Sequence, residues 1–248
     1  MELVAAAFSL APGLALGSFL NVVAARVPLR RSVVSPPSAC MSCGERIAWY
    51  DNVPVVSWLL LRGRCRNCGV TIPWVYPAVE LTTAVLVAGC ILAFGITLDA
   101  LVAAFFCAVL VVVSVIDLAH RIIPNRVVLP ATAIVLAAQT ALHSSPEWAL
   151  AALGASGFLF VAALVYPAGM GMGDVKLALL LGAMLGRVAP VGLMLAMLLA
   201  MLPSIVLLAR HGLAARKMGI PFGPFLALGA VIALFWGDRL LDAYLSLL

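Results

Sequence analysis

Charge is what this sequence has least of: Asp, Glu, Lys and Arg make up 10% of its 248 residues, against 65% apolar residues and a mean hydropathy of +1.18. A soluble domain carries about 25% charged residues and needs polar groups to cover its surface, so that class is excluded. Disorder is excluded by the same figures, because it requires low hydrophobicity. Histidine is scarce as well. His120, His143 and His211 are scattered and no His-Glu-x-x-His occurs, which sets aside a zinc peptidase of that type. No basic residue precedes the first apolar run, and Pro12, Ser18 and Asn21 interrupt it, so it reads as a retained helix rather than a signal peptide. What remains is an all-α polytopic membrane protein. Its net charge of +5 is loop charge that sets topology, not a sign of nucleic-acid binding.

A hydrocarbon core of roughly 30 Å needs about 20 apolar residues per helix, and eight runs are expected at about 3–25, 77–97, 99–117, 127–143, 148–168, 175–187, 190–209 and 222–240, the sixth being short. Positively charged loops stay cytoplasmic. With the N-terminus outside, thirteen of the fifteen Lys and Arg fall inside, among them Arg62, Arg64, Arg66, Arg121, Lys176, Arg216 and Lys217, leaving Arg187 and Arg239 outside. Both termini are therefore expected outside. The chain divides into a first transmembrane helix (1–26), a cytoplasmic loop domain (27–76) and a seven-helix membrane domain (77–248).

The loop domain carries Cys40, Cys43, Cys65 and Cys68, spaced C-x2-C-x21-C-x2-C, with Gly44 and Gly69 directly after the second Cys of each pair. The two halves repeat each other, Cys40-Met-Ser-Cys43-Gly44-Glu-Arg-Ile47 against Cys65-Arg-Asn-Cys68-Gly69-Val-Thr-Ile72. Two such knuckles can close a tetrahedral thiolate site, for which zinc is the default metal and iron the rival. Two disulfides or four free thiols are the plainer reading, but a cytoplasmic loop is reducing. Four cysteines leave no coordination position for water, so the metal is expected to be structural, and it is expected to fold a loop too small to build its own core. Cys90 and Cys107 sit singly in membrane helices as packing residues.

Of ten acids, Glu2, Asp99, Glu147, Asp238 and Asp242 fall at expected outer boundaries, and Glu45 and Asp51 in the loop. Glu80, Asp117 and Asp174 are left at the inner boundary, where ionisable groups are costly and functional by default. One helix arrives at Asp117 and another departs from Asp174, so the two can lie at one depth. Close carboxylates share a proton, which makes one a base for water and the other an acid for a carbonyl. Asp174, preceded by Gly and opening an apolar run, would serve equally well as a helix cap. Asp117 closes a helix, where its charge opposes the macrodipole, so His120, Arg121 or a reaction must account for it.

These segments together resemble the type IV prepilin peptidases. The resemblance is carried by Gly17-Ser-Phe-Leu-Asn21-Val-Val, Pro37-Ser-Ala-Cys40, Leu61-Arg-Gly-Arg-Cys65-Arg-Asn-Cys68 and Tyr76-Pro-Ala-Val-Glu80. It continues through Asp117 with Ile123-Pro-Asn125, Gly171-Met-Gly-Asp174-Val-Lys176 and Pro221-Phe-Gly-Pro224-Phe-Leu-Ala-Leu-Gly229. It implies an aspartic protease of the bacterial inner membrane, of Gly-x-Gly-Asp type, with Asp117 and Asp174 as its catalytic pair at the cytoplasmic face. Its substrates would be prepilins or type II secretion pseudopilins, cut after a Gly that ends a short basic leader. It also implies S-adenosylmethionine as methyl donor for the new N-terminus, a reaction that the retained cysteines favour. No βαβ pattern marks a site for that cofactor, and Gly169-Met-Gly171-Met-Gly173 is not one, being flanked by membrane helices.

Lys176, Glu80 and Asn21 are candidate substrate contacts, each with a structural alternative: a boundary lysine, a helix cap and a packing residue. Lys176 can pair with Asp174 or with an acidic group of the substrate. Gly171 and Gly173 would permit irregular backbone beside Asp174, and Pro221 to Pro224 a rigid lead-in to the last helix. Membrane lipid is the other expected partner, and the basic stretch Arg62 to Arg66 is placed to touch anionic lipid, substrate or neither. Two other classes stand beside this reading. A transporter would place its acids near the bilayer centre and often repeats its halves, and a membrane-anchored zinc-ribbon binding module would leave Asp117 and Asp174 idle.

Overall fold

A computed structural model describes residues 1–167, 170–212 and 219–247, with His211 described by its backbone alone. Gly169, Arg216 and Lys217 lie outside the described residues. Nine helices are described: α1 (Glu2–Arg26), α2 (Val56–Leu60), α3 (Val75–Phe94), α4 (Leu98–His120), α5 (Asn125–His143), α6 (Glu147–Val165), α7 (Met172–Leu185), α8 (Ala189–His211) and α9 (Gly223–Leu245). No strand occurs among the described residues, only two isolated bridges.

Seven segments are long and apolar enough to cross a membrane, where eight were expected. The difference lies in Met172–Arg210, which is 39 residues taken as one stretch. Helix geometry breaks inside it at Gly186, whose φ of +53° is left-handed, and the chain turns back there. Val188, just after the break, lies against Gly237 late in α9, while Gly192 and Ala196 lie against Gly229 nearer its start. α8 thus runs antiparallel to α9. The 14 residues of α7 span about 21 Å, so the short sixth segment of the sequence reading is a separate helix below full membrane length.

The chain forms two compact units, Met1–Val112 and Val113–Leu248. In the first, α1 packs on α3 through a narrow face. Ala6, Ser9, Gly13, Gly17, Leu20 and Ala24 recur every three or four residues and are buried. A Cβ on Gly13 would stand 2.7 Å from Cα of Ala84, and one on Gly17 2.6 Å from Cα of Glu80, so only glycine lets these backbones meet. Cys90 and Cys107, expected to pack singly, pack against each other, with Sγ atoms 4.0 Å apart and buried.

In the second unit α7 is the centre. Leu177, Ala178, Leu180, Leu181 and Ala183 are fully buried, and Gly182 lies against Ala151 and Ala152 of α6. At one end Arg187 gathers acids: its backbone N–H donates to Glu147 (2.8 Å) and its guanidinium to Asp238 (2.6 Å). The charges that the sequence assigned to one boundary thus meet in space.

Candidate active site and metal centre

The metal centre is built from two copies of one turn. In the first, the N–H of Cys40 donates to the carbonyl of Glu45 (2.9 Å), Gly44 to Cys40 (3.0 Å) and Ile47 to Ser38 (2.9 Å). In the second, Cys65 donates to Val70 (2.8 Å), Gly69 to Cys65 (3.0 Å) and Ile72 to Gly63 (2.7 Å). Gly44 and Gly69 hold φ values of +73° and +71°, the left-handed geometry that closes each turn. The four Sγ atoms lie within 4.8 Å of one another, and those of Cys40 and Cys68 are 3.8 Å apart. Zinc–sulfur bonds of about 2.3 Å in a tetrahedron require a sulfur separation of about 3.8 Å, so this donor set can hold zinc. Backbone N–H groups of Cys43 and Ser42 hold the Cys40 thiol down at about 6, whereas Cys43, despite the backbone N–H of Glu45, is pushed up to about 11 by burial and the neighbouring Cys40. Outside the cluster, Arg66 clasps Asp51 with two hydrogen bonds of 2.6 and 2.8 Å, which lowers the Asp51 carboxyl below its ordinary range.

Asn21 and Glu80 stand beside this loop, and both are buried. Asn21 donates its amide to the carbonyl of Tyr76 (3.1 Å), tying α1 to the start of α3. The carboxylate of Glu80 accepts the N–H of Val55 (2.7 Å), a residue held at φ +60°, and a hydrogen bond from Ser18. Glu80 therefore anchors the loop rather than capping its own helix. Both residues line a cavity of about 710 Å³ between the loop and the ends of α1 and α3.

In the second unit, Asp117 and Asp174 line one pocket of about 520 Å³, together with Arg121, Asn125, Gly171, Gly173 and Phe222. Both carboxylates are buried, at 5% and 9% exposure, and Asp174 lies within electrostatic range of Asp117. Asp117 sits in the last turn of α4, and its Oδ2 accepts the N–H of Gly223 (3.0 Å), the first residue of α9. The positive end of the α9 dipole thus offsets the unfavourable position of Asp117 on α4. Asp174 is the third residue of α7 rather than its cap. Its Oδ2 accepts the N–H of Gly171 (3.2 Å), so the capping reading holds in that one oxygen. Each carboxylate is fixed through one oxygen by a backbone donor.

Two details differ from expectation. Lys176 donates to the side-chain carbonyl of Asn125 (3.0 Å) and not to Asp174, because one α-helical step of two residues carries it to another face. Gly171 lies in the irregular backbone just ahead of α7, at a φ of −84° that does not require glycine, and Gly173 lies inside the helix. What Gly173 supplies is space: a Cβ there would stand 2.9 Å from Cβ of Ile123. Both acids lie at helix ends, away from the middle of any span, which disfavours the transporter alternative. The sequence marks Pro221 to Pro224 as a rigid lead-in to the last helix but does not single out Gly223 as the partner of Asp117. The Gly-Pro opening of α9 was its only trace.

Comparison with known proteins settles the family. Residues 12–94 match the bacterial peptidase A24 N-terminal domain, and residues 104–209 match the type IV leader peptidase family. A prepilin leader peptidase/N-methyltransferase of Bacillus subtilis is 34% identical over 245 residues, covering 95% of this chain and 96% of that protein. The chain belongs to the type IV leader peptidase family. Other family members similar to it carry the same name: one from Pseudomonas aeruginosa is 34% identical over 265 residues (94% of this chain, 91% of that protein). Another, from Myxococcus xanthus, is 41% identical over 200 residues (77% and 59%). No solved structure matches this family member.

Proposed function

We propose that this protein is a membrane aspartic endopeptidase that removes the short basic leader of type IV prepilins or type II secretion pseudopilins after Gly, and that it N-methylates the exposed amine. The observation that carries the peptidase reading is the pair of buried carboxylates, Asp117 and Asp174, on one pocket, each with one oxygen held by a backbone N–H. With one oxygen of each acid fixed, the other is available to the reaction. One ionised carboxylate takes a proton from water as that water attacks the scissile carbonyl carbon. The protonated partner donates to the carbonyl oxygen, giving a tetrahedral diol; the first carboxyl then passes the proton it took from water to the leaving amine nitrogen as the C–N bond breaks, and the partner recovers a proton from a diol hydroxyl. Such a dyad titrates as a unit.

The substrate's apolar segment would remain in the membrane while its basic leader stays in the cytoplasm, which places the pocket at the inner face and both termini outside. Thirteen of fifteen cationic residues support that orientation. The four cysteines hold a structural zinc with no open position, which folds the loop of the 27–76 domain. The methylation half rests on the names of the relatives. S-adenosylmethionine, when bound, supplies an activated methyl group, and the protein's part is to hold it and present the amine.

The test is mass spectrometry of a prepilin incubated with wild type, Asp117→Asn and Asp174→Asn in lipid. Wild type is expected to cut after the leader Gly and, with the methyl donor, to add one methyl group. Both variants should fall in cleavage by about 10²–10⁴-fold. Cleavage at the wild-type rate by either folded variant would remove that residue from the mechanism.

A further inference from the structure

Resting on the peptidase reading, the geometry points to a third catalytic side chain: the amide N–H of Asn125 donates to the carbonyl oxygen of the leader Gly, and Lys176 is the positioning residue that turns that amide toward it. Lys176 needs such an explanation. It is a cation near the N-terminal end of α7, where the helix dipole disfavours positive charge, and it does not pair with the nearby Asp174. It reaches instead to the first residue of α5, donating to Oδ1 of Asn125 (3.0 Å). Gly173 makes this meeting possible, because Ile123 packs into the space its missing side chain leaves and so lays the entry to α5 along the first turn of α7. An ammonium can only donate, so the atom it meets must be the amide oxygen, and the NH2 group must stand on the opposite edge. Lys176 thus decides which way Asn125 faces.

Asn125 lines the 520 Å³ pocket with Asp117 and Asp174, whereas Lys176 is not part of that lining, so the edge Asn125 presents to the pocket is a donor. Among the described residues none accepts from it. The backbone N–H groups of Gly171 and Gly223 are already spent on the two carboxylates, and Arg121 is a cation within electrostatic range of Asp117. The amide is left as the pocket's neutral donor. A substrate cut after Gly has no side chain at that residue to grip, so its register has to be set through backbone atoms. The backbone acceptor at the scissile bond is the Gly carbonyl, whose oxygen has two lone pairs. One takes the proton of the acid, and the other takes the amide N–H, which also steadies the charge that grows on oxygen as water attacks.

Single-turnover cleavage of a prepilin by the full chain in lipid nanodiscs tests this, alongside substrate binding and thermal melting. Asn125→Asp keeps an oxygen for Lys176 but has no N–H, so a merely structural contact would survive in it. A donor aimed at a developing oxyanion contributes about 10²–10³-fold, and here the proton of the acid neutralises part of the charge. Cleavage by Asn125→Asp should therefore fall about 10- to 100-fold across the pH range of the wild type, with substrate affinity within about threefold. Lys176→Met should lose about 3- to 10-fold, because the amide is then free to turn over, while Lys176→Arg, which also only donates, should recover most of that loss. Added to Asn125→Ala, Lys176→Met should lower the rate no further, since Lys176 acts only through the amide. Wild-type cleavage by folded Asn125→Asp overturns the assignment of Asn125. Wild-type cleavage by folded Lys176→Met, a variant that leaves Asn125 in place, or a full further loss on adding it to Asn125→Ala, overturns that of Lys176. If wild type cuts after Gly while Asp117→Asn and Asp174→Asn do not, those results defeat this inference alone. A wild type that does not cut overturns the peptidase reading with it.

Discussion

Substituting alanine for Gly223 isolates the contact that explains Asp117. The new Cβ would stand 2.7 Å from Oδ2 of Asp117, 3.2 Å from its Cγ and 3.3 Å from its Cβ. Asp has a short side chain with only two rotatable bonds, so the clash cannot be absorbed at a distant tip and must move the carboxylate itself. Moving it lengthens the 3.0 Å hydrogen bond from the N–H of Gly223, and a bond to a charged group is worth about 1.5–3 kcal/mol. If that amount is lost at the transition state, with 1.36 kcal/mol per factor of ten, the rate falls about 10- to 150-fold. The assay is single-turnover cleavage of a prepilin in lipid, with thermal melting to establish that the variant is folded. The expected loss is in the cleavage step, with substrate binding little changed, because the contact acts on a reacting group and not on the substrate's apolar helix. A folded Gly223→Ala that cleaves within threefold of wild type would refute the view that α9 holds Asp117 in its working position.

If the four cysteines hold zinc as proposed, its chelation should leave the helices in place by circular dichroism and open the 27–76 loop to proteolysis, since the metal would replace a core there. Cys40→Ser or Cys65→Ser should lower bound zinc from one per chain; a folded, protease-resistant loop without metal would contradict this. Gly17→Ala should destabilise the first unit by about 1–3 kcal/mol, because its Cβ meets the backbone of Glu80, which cannot rotate away. A melting temperature unchanged from wild type would show that α1 and α3 can separate at no cost.

Much of the site was legible in the residues themselves. The paired cysteines were conspicuous because knuckle spacing and the following glycines are local, and the folded loop repeats the same hydrogen bonds in both halves. Asp117 and Asp174 stood out because acids are rare in so apolar a chain and because helix directions placed them at one depth. The break between α7 and α8 was visible only as a short apolar run. Gly186 gave little sign of a reversal, since its left-handed φ is a property of the folded turn. Lys176 was assigned a partner by proximity in sequence, yet its partner Asn125 lies 51 positions away.

Composition by itself determined that this chain is helical and lives in a membrane: apolar runs near membrane length leave the backbone no other way to satisfy its polar groups. Spacing by itself determined two cysteine knuckles, because each pair closes within one turn, and the folded loop brings their four sulfurs together. Which groups stand around Glu80 and Asp117 was decided only by the tertiary structure. Glu80 takes its backbone donor from Val55, 25 positions earlier, and Asp117 takes its own from Gly223, 106 positions later. Such pairings follow from how helices pack, and packing is set by small-residue faces such as Gly13 and Gly17 whose partners no local pattern names.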